Sequence, residues 1–244
     1  MSHWYEKSFG EDYLLVYKHR SKQDASFEVS QIIEWINLTK EDFILDLCCG
    51  TGRHTLNFAN QGYNIMGMDL SEVLLSYAVH ERDNHGVPFI HGDMRHLPFV
   101  ANSFDVVLNL FTSFGYFQCD GDNQKVLTEM ARVLKPNGRF FIDYLNRDAV
   151  IDNLVPESSR QEGETYIKEK RRIEGNSVIK DITIVDHKGQ REYLEHVKMY
   201  TIDQMKEMLD KAGLTIEHAF GNFSGASYSV DSERMIMMGS KQTR

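Results

Sequence analysis

Two hydrophobic patterns alternate along the first 145 residues of this chain. Runs at 43–48, 64–69, 87–91, 104–110 and 139–145 are apolar almost throughout, as strands buried on both faces must be. Between them, apolar positions near 53–61, 71–85 and 121–134 recur at helical spacing. Ser71 offers an N-cap hydroxyl to the second of these helices, and Pro136 with Gly138 stops the third. Strands that alternate with helices build a parallel sheet covered on both faces. Ahead of the first strand, Phe27, Val29, Ile32, Ile33 and Ile36 form an amphipathic stripe, so residues 1–40 read as a helical lead-in.

From 148 to 199 the pattern changes. Segments 165–174, 177–186 and 190–200 alternate β-branched with charged residues, and Glu174-Gly-Asn176 and Asp186-His-Lys-Gly189 supply hairpin turns between them. The expected element is an antiparallel meander. Residues 201–213 then return as a capped helix ending at glycine, and strands at 214–220 and 234–240 complete a sheet. The fold class predicted is α/β: a doubly wound, mostly parallel, seven-stranded Rossmann-like sheet, with residues 41–147 and 200–244 as its core and 148–199 as an antiparallel insertion. Ligands of such sheets bind outside the carboxyl ends of the strands, where an insertion leaving the fifth strand is placed to cover them. It is read as a substrate lid or a dimer surface, with a passive extension of the sheet as the alternative.

The chemistry concentrates at the first turn. After the apolar strand ending Asp46-Leu47-Cys48-Cys49 come Gly50 and Gly52, which remove Cβ atoms where the backbone turns tightly against a ligand. The next strand delivers Asp69, whose carboxylate is able to accept two hydrogen bonds from a ribose diol. A dinucleotide enzyme uses the same geometry, but its third glycine is Thr55 here. Asp46 beside the turn repels a pyrophosphate and attracts a cation, which favours S-adenosylmethionine with its sulfonium and ammonium.

Five segments, Asp46-Leu-Cys-Cys-Gly-Thr-Gly-Arg-His54, Gly67-Met-Asp-Leu-Ser71, His91-Gly-Asp-Met-Arg95, the run from Phe104 to Phe117, and Leu134-Lys-Pro-Asn-Gly-Arg-Phe-Phe-Ile-Asp143, resemble in order and spacing the motifs of the class I S-adenosylmethionine-dependent methyltransferases. The resemblance covers 40–147 strongly and the later helix and strands moderately. It implies the cofactor S-adenosyl-L-methionine and transfer of its methyl group. It also implies site residues: Asp69 on the ribose, Leu70 and Met94 against the adenine, Asp93 accepting from the adenine amine, and Asn109 facing the methionine end, with Gly50 and Gly52 admitting the cofactor. Arg53 and His54 are placed for the cofactor carboxylate, and Tyr13 with Tyr17 resembles the aromatic residues that close over the cofactor in family members. The acceptor side is expected from Thr112 to Phe117, from Tyr144 to Arg147, and from the insertion. Tyr116 and Tyr144 are the candidates to orient or deprotonate an acceptor.

Charge bears on that acceptor. With 36 acids against 27 bases and a net charge of −9, the chain needs strong segregation to present a face to phosphates. Its one dense basic run, Lys168-Glu-Lys-Arg-Arg172, puts alternate cations on one side of a strand, which reads as a solvated surface. Asn109-Leu-Phe-Thr stands where family members that methylate base nitrogens carry an Asn/Asp-Pro-Pro-aromatic sequence. A small-molecule N, O or S acceptor is therefore expected, and nucleic acid is disfavoured. Methylation of RNA or protein, and a non-catalytic cofactor-binding protein, stay as alternatives. Three cysteines make neither a disulfide framework nor a zinc spacing. His80, His85, His91 and His96 lack the i, i+4 pair of a helical zinc site, so no metal is expected. Without a long apolar run or a signal sequence the expected location is the cytoplasm, with a homodimer as an option.

Overall fold

The structure is a computed structural model describing residues 3–17, 22–82 and 86–243. The lead-in forms α1 (Trp4–Ser8), α2 (Glu11–Val16) and α3 (Lys22–Trp35). The core follows as β1 (Phe43–Leu47), α4 (Arg53–Asn60), β2 (Asn64–Asp69), α5 (Glu72–Glu81), β3 (Phe89–His91), β4 (Phe104–Asn109), α6 (Asp120–Val133) and β5 (Leu134–Leu145). Then α7 (Arg147–Asp152) leads to β6 (Glu157–Glu162), β7 (Thr165–Glu174), β8 (Ser177–Asp186) and β9 (Gly189–Lys198). The chain returns through α8 (Ile202–Ala212), β10 (Leu214–Phe220) and β11 (Arg234–Lys241).

The core sheet has seven strands in the order β10-β11-β5-β4-β1-β2-β3. Its central pairs are parallel, and β11 runs antiparallel to both β5 and β10. Period-two alternation sends successive residues to opposite faces. Ile44, Val106, Leu108 and Phe141 pack with Val29 and Ile32 of α3, with Ile36 just beyond it and with Phe58 of α4. Leu45, Leu47, Val107 and Ile142 pack on the other side with Val126 and Met130 of α6 and Met205 and Leu209 of α8. The strand order reverses between β4 and β1, which opens a crevice at their carboxyl ends.

Helix ends follow the local chemistry. Ser71 Oγ accepts from Leu74 N at 3.1 Å, and Thr201 forms a capping box with Gln204 before Gly213 closes α8 at φ 82°. Some expectations fail for visible reasons. Phe27 is half exposed, off the stripe that buries Val29, Ile32 and Ile36. β3 begins at Phe89, after Pro88, rather than at Val87. β5 begins at Leu134 and runs through Pro136 and Gly138, because a register shift against β4 absorbs the missing N–H. The expected end of α5 falls on residues 83–85, outside the described residues.

The insertion is a separate four-stranded antiparallel sheet, β6-β7-β8-β9, one strand more than the alternation predicts. It joins the core at Gly115, whose carbonyl accepts from Lys198 N at 2.8 Å. Gly115 has φ 84°, and a Cβ there would lie 2.9 Å from Lys198 O and from Tyr144 Oη, so only glycine fits. The lead-in lies across the same sheet. Val16 packs with Ile167, Ile182 and Ile184, while Asp12 accepts from Arg191 Nε and Tyr193 Oη, each at 2.6 Å.

Candidate active site

A cavity of about 680 Å3 opens at the carboxyl ends of β1, β2 and β4, roofed by α1 and α2 and faced by the antiparallel sheet. That size lies within the ~300–1,000 Å3 typical of small-molecule sites. Its surface is largely apolar and aromatic, with Trp4, Phe9, Tyr13, Leu70, Met94 and Tyr116 among the lining residues.

At one end stand the strand-end acids. The turn after β1 takes left-handed backbone at Cys48 (φ 64°), Gly50 (φ 57°) and Gly52 (φ 74°), which curls it under the cavity. Asp69 accepts from the backbone N–H groups of Gly50 and Ser71, each at 2.8 Å. A carboxylate has about four acceptor positions, so Asp69 keeps capacity for a diol. Burial pushes its carboxyl pKa up despite those two bonds. Asp46 is 2 % exposed and accepts from Thr55 Oγ1 at 2.5 Å; burial raises it too, with His54 and Thr55 working against the rise. For Asp93 the balance reverses. Burial raises it, but bonds from the Arg95 guanidinium and amide outweigh burial and hold it low. Leu70 and Met94 form apolar wall, and the Met94 sulfur sits 3.4 Å from that of Cys48. Burial lifts both the Cys48 and Cys49 thiols well above their ordinary range, so they stay protonated packing groups.

Of the residues expected here, Gly50, Asp46, Arg53, His54, Asp69, Leu70, Asp93, Met94, Tyr13 and Tyr17 all line the cavity. Two do not. Gly52 caps α4, and a Cβ on it would stand 2.9 Å from the Phe89 ring, so it serves close packing behind the turn. Asn109 is 1 % exposed and turns its amide to the carbonyls of Leu47 and Ser113, which ties the ends of β1 and β4. Its Oδ1 has no partner among the described residues.

The loop after β4 forms the middle of the cavity. Phe111 and Thr112 both take φ near 60°, a costly conformation for residues with side chains. Asp143 holds them there: its carboxylate accepts from Phe111 N at 3.0 Å and its carbonyl from Thr112 N at 2.8 Å. Arg234 of β11 in turn donates to Asp143 at 2.7 Å and to Thr112 Oγ1 at 3.1 Å. Two guanidiniums approach the Phe111 ring, Arg53 at 5.7 Å and Arg234 at 5.6 Å from its centre. Tyr116 lines the cavity under Trp4 and Phe9, and burial pushes its phenol well above the ordinary value. Tyr144 does not reach the cavity. It is fully buried and donates to the Lys198 carbonyl, so it pegs the insertion to the core. Asn146, also expected on the acceptor side, caps α7 and donates to the carbonyls of Val230 and Ser232 instead.

The opposite wall belongs to the insertion. Arg171 of β7, Lys180 of β8, and Glu195 and Val197 of β9 line the cavity. With Trp4, Tyr5, Phe9, Leu14, Leu74, Val150 and Arg234 they are among the lining residues that the sequence did not single out. Among the described residues no group of three His, Cys, Asp or Glu side chains converges to hold a metal, and His85 lies outside them.

Residues 44–138 match the family described as "Methyltransferase domain". The chain is 27 % identical over 224 residues to a putative methyltransferase, YqeM, of Bacillus subtilis, covering 86 % of this chain and 90 % of that one. It is 26 % identical over 217 residues to the dTDP-4-amino-2,3,4,6-tetradeoxy-D-glucose N,N-dimethyltransferase of Saccharopolyspora spinosa, covering 85 % and 86 %. Among solved structures, an S-adenosylmethionine-dependent methyltransferase from Clostridium acetobutylicum superposes with a TM-score of 0.81 at 20 % identity, over 95 % of this chain and 96 % of that one. The last likeness concerns the fold.

Proposed function

We infer that this chain, a class I S-adenosylmethionine-dependent methyltransferase, transfers a methyl group to an N, O or S atom of a small molecule enclosed between the strand ends and the antiparallel sheet. The observation that carries this reading is the two-ended cavity: the strand-end acids and Gly50 on one side, a wall of insertion residues on the other. S-Adenosylmethionine supplies a methyl carbon already activated by its positive sulfur, so the protein's work is positioning and exclusion of water. Asp69 would hold the ribose diol, Leu70 and Met94 the adenine, and Asp46 would favour the cationic end of the cofactor. Tyr13 and Tyr17, rings 4.6 Å apart, would cover it from α2. Tyr116 keeps its proton near neutrality, so it orients an acceptor by hydrogen bonding and does not deprotonate it.

The relative from Saccharopolyspora spinosa acts on an amino sugar nucleotide by its name, which supports a small-molecule acceptor. The basic run of β7 speaks against RNA: Lys168 pairs with Glu157, and Arg172 with both Glu174 and Asp181. Cations neutralised in this way gain little by meeting phosphates. No helix among the described residues is long and apolar enough to cross a membrane, and we place the protein in the cytoplasm. Incubation of the enzyme with cell extract and methyl-tritiated cofactor tests the reading. Label should appear in the low-mass fraction; label confined to RNA or protein would overturn it.

A further inference from the structure

The inner face of the antiparallel sheet carries an ionic row in strict cross-strand register. Arg171 pairs with Lys180 across β7 and β8, and Lys180 with Glu195 across β8 and β9. All three line the cavity. They are mostly withdrawn from water, with side-chain exposures of 25 % for Arg171, 14 % for Lys180 and 15 % for Glu195. Lys180 Nζ bridges to Glu195 at 2.7 Å, and Tyr17 Oη donates to the same carboxylate at 2.5 Å. Behind the row the buried Glu169 receives Arg171 and faces Arg160 at 3.7 Å. At the cavity surface the row therefore presents two cations, Arg171 and Lys180, against one carboxylate, Glu195, while Arg160 and Glu169 offset each other behind it. The other ionic cluster on this face, Arg191 with Asp12 and Asp186, sits near the start of β9 and contributes nothing to the cavity surface.

An uncompensated charge in a half-dry cavity is costly unless a partner of opposite sign arrives. Donor capacity is there for one. Arg171 directs bonds to Ser158 and Glu169, two of the five N–H groups a guanidinium offers. The carboxylates at the far end, Asp46 and Asp69, suit the cationic cofactor, so the cavity is polarised from end to end. Resting on the small-molecule reading above, we propose that the methyl acceptor carries an anionic group, a carboxylate or a phosphate, bound by Arg171 and Lys180, with Glu195 setting how much positive charge the row presents. Tyr17 links this recognition to α2, since its hydroxyl closes the ring between Lys180 and Glu195.

The test uses the full chain saturated with S-adenosylhomocysteine, at constant ionic strength, with ligand-observed NMR on matched probes. Benzoate is compared with benzamide, and phenyl phosphate with phenol; which anion binds distinguishes the two sources. The anion should bind at least about tenfold better than its neutral twin, the scale of a hydrogen bond to a charged group. Lys180→Met should weaken the anion about tenfold, and Glu195→Gln, which removes a negative charge without removing volume, should tighten it. That opposite sign guards against a trivial folding defect, and affinity for S-adenosylhomocysteine, titrated first in every variant, reports that the pocket is intact. Equal binding of neutral twins, or indifference to both substitutions with S-adenosylhomocysteine still bound, would overturn the anionic acceptor alone. Failure of the wild-type chain to bind S-adenosylhomocysteine would sink the methyltransferase reading, and this proposal with it.

Discussion

Asp69 is the side chain on which cofactor affinity should depend most. It is the strand-end acid with two backbone bonds to fix its direction and acceptor positions left over. Asp69→Ala should cost ~1–3 kcal/mol of binding, the worth of hydrogen bonds to a charged acceptor, and titration calorimetry with S-adenosylhomocysteine measures it. Undiminished affinity in the folded variant would remove Asp69 from the site. Its placement was legible in the sequence because an acid ending an apolar strand has one direction to point. Gly52, Asn109 and Tyr144 were read as cofactor or acceptor contacts and do other work. A motif gives the position of a residue along a strand end; it does not say whether the side chain faces the ligand or the neighbouring strand. Asn109 faces β1, and Tyr144 faces the insertion.

At the scale of elements, Gly115 stands where core and insertion meet, between Lys198 and Tyr144. Gly115→Ala would force a side chain into left-handed backbone, at roughly 1–2 kcal/mol, and into contact with Lys198 and Tyr144. We expect a lower Tm and a larger loss of acceptor turnover than of cofactor affinity, because the residues displaced are those of the sheet wall. Equal losses in both would show that the junction serves the whole pocket. The hairpins β7 and β8 were readable to the residue from alternation and turn chemistry. β6, Glu-Ser-Ser-Arg-Gln-Glu, was not, since an edge strand needs no apolar face and carries none. Nor could alternation place Arg171, Lys180 and Glu195 side by side, because a slip of one residue in either hairpin would send a member of the row to the opposite face.

For the molecule as a whole, a cofactor that binds the folded state alone should raise its Tm. At a hundredfold excess over Kd the stabilisation is about 2.7 kcal/mol, or roughly 5–10 °C for a domain of this size. S-Adenosylhomocysteine should produce that shift and NAD should not; a shift with NAD alone would reverse the assignment of the glycine turn. The doubly wound sheet was evident from sequence because its strands are buried on both faces, and Tyr13 and Tyr17 of the aromatic roof were singled out, whereas Trp4, Tyr5 and Phe9 were not, since their partners lie far along the chain. Arg234, which through Asp143 keeps the left-handed loop at Phe111 and Thr112 in place, belongs to β11, the strand lying between β10 and β5. β10 therefore emerges from the ribosome before it has a neighbour in the sheet, and the loop already held by Asp143 gains its second tie, from Arg234, only when β11 slots into the gap. During synthesis, a nascent chain stopped short of that strand would lack the bonds from Arg234 to Asp143 and Thr112, and we expect it to show no turnover until the sheet is closed.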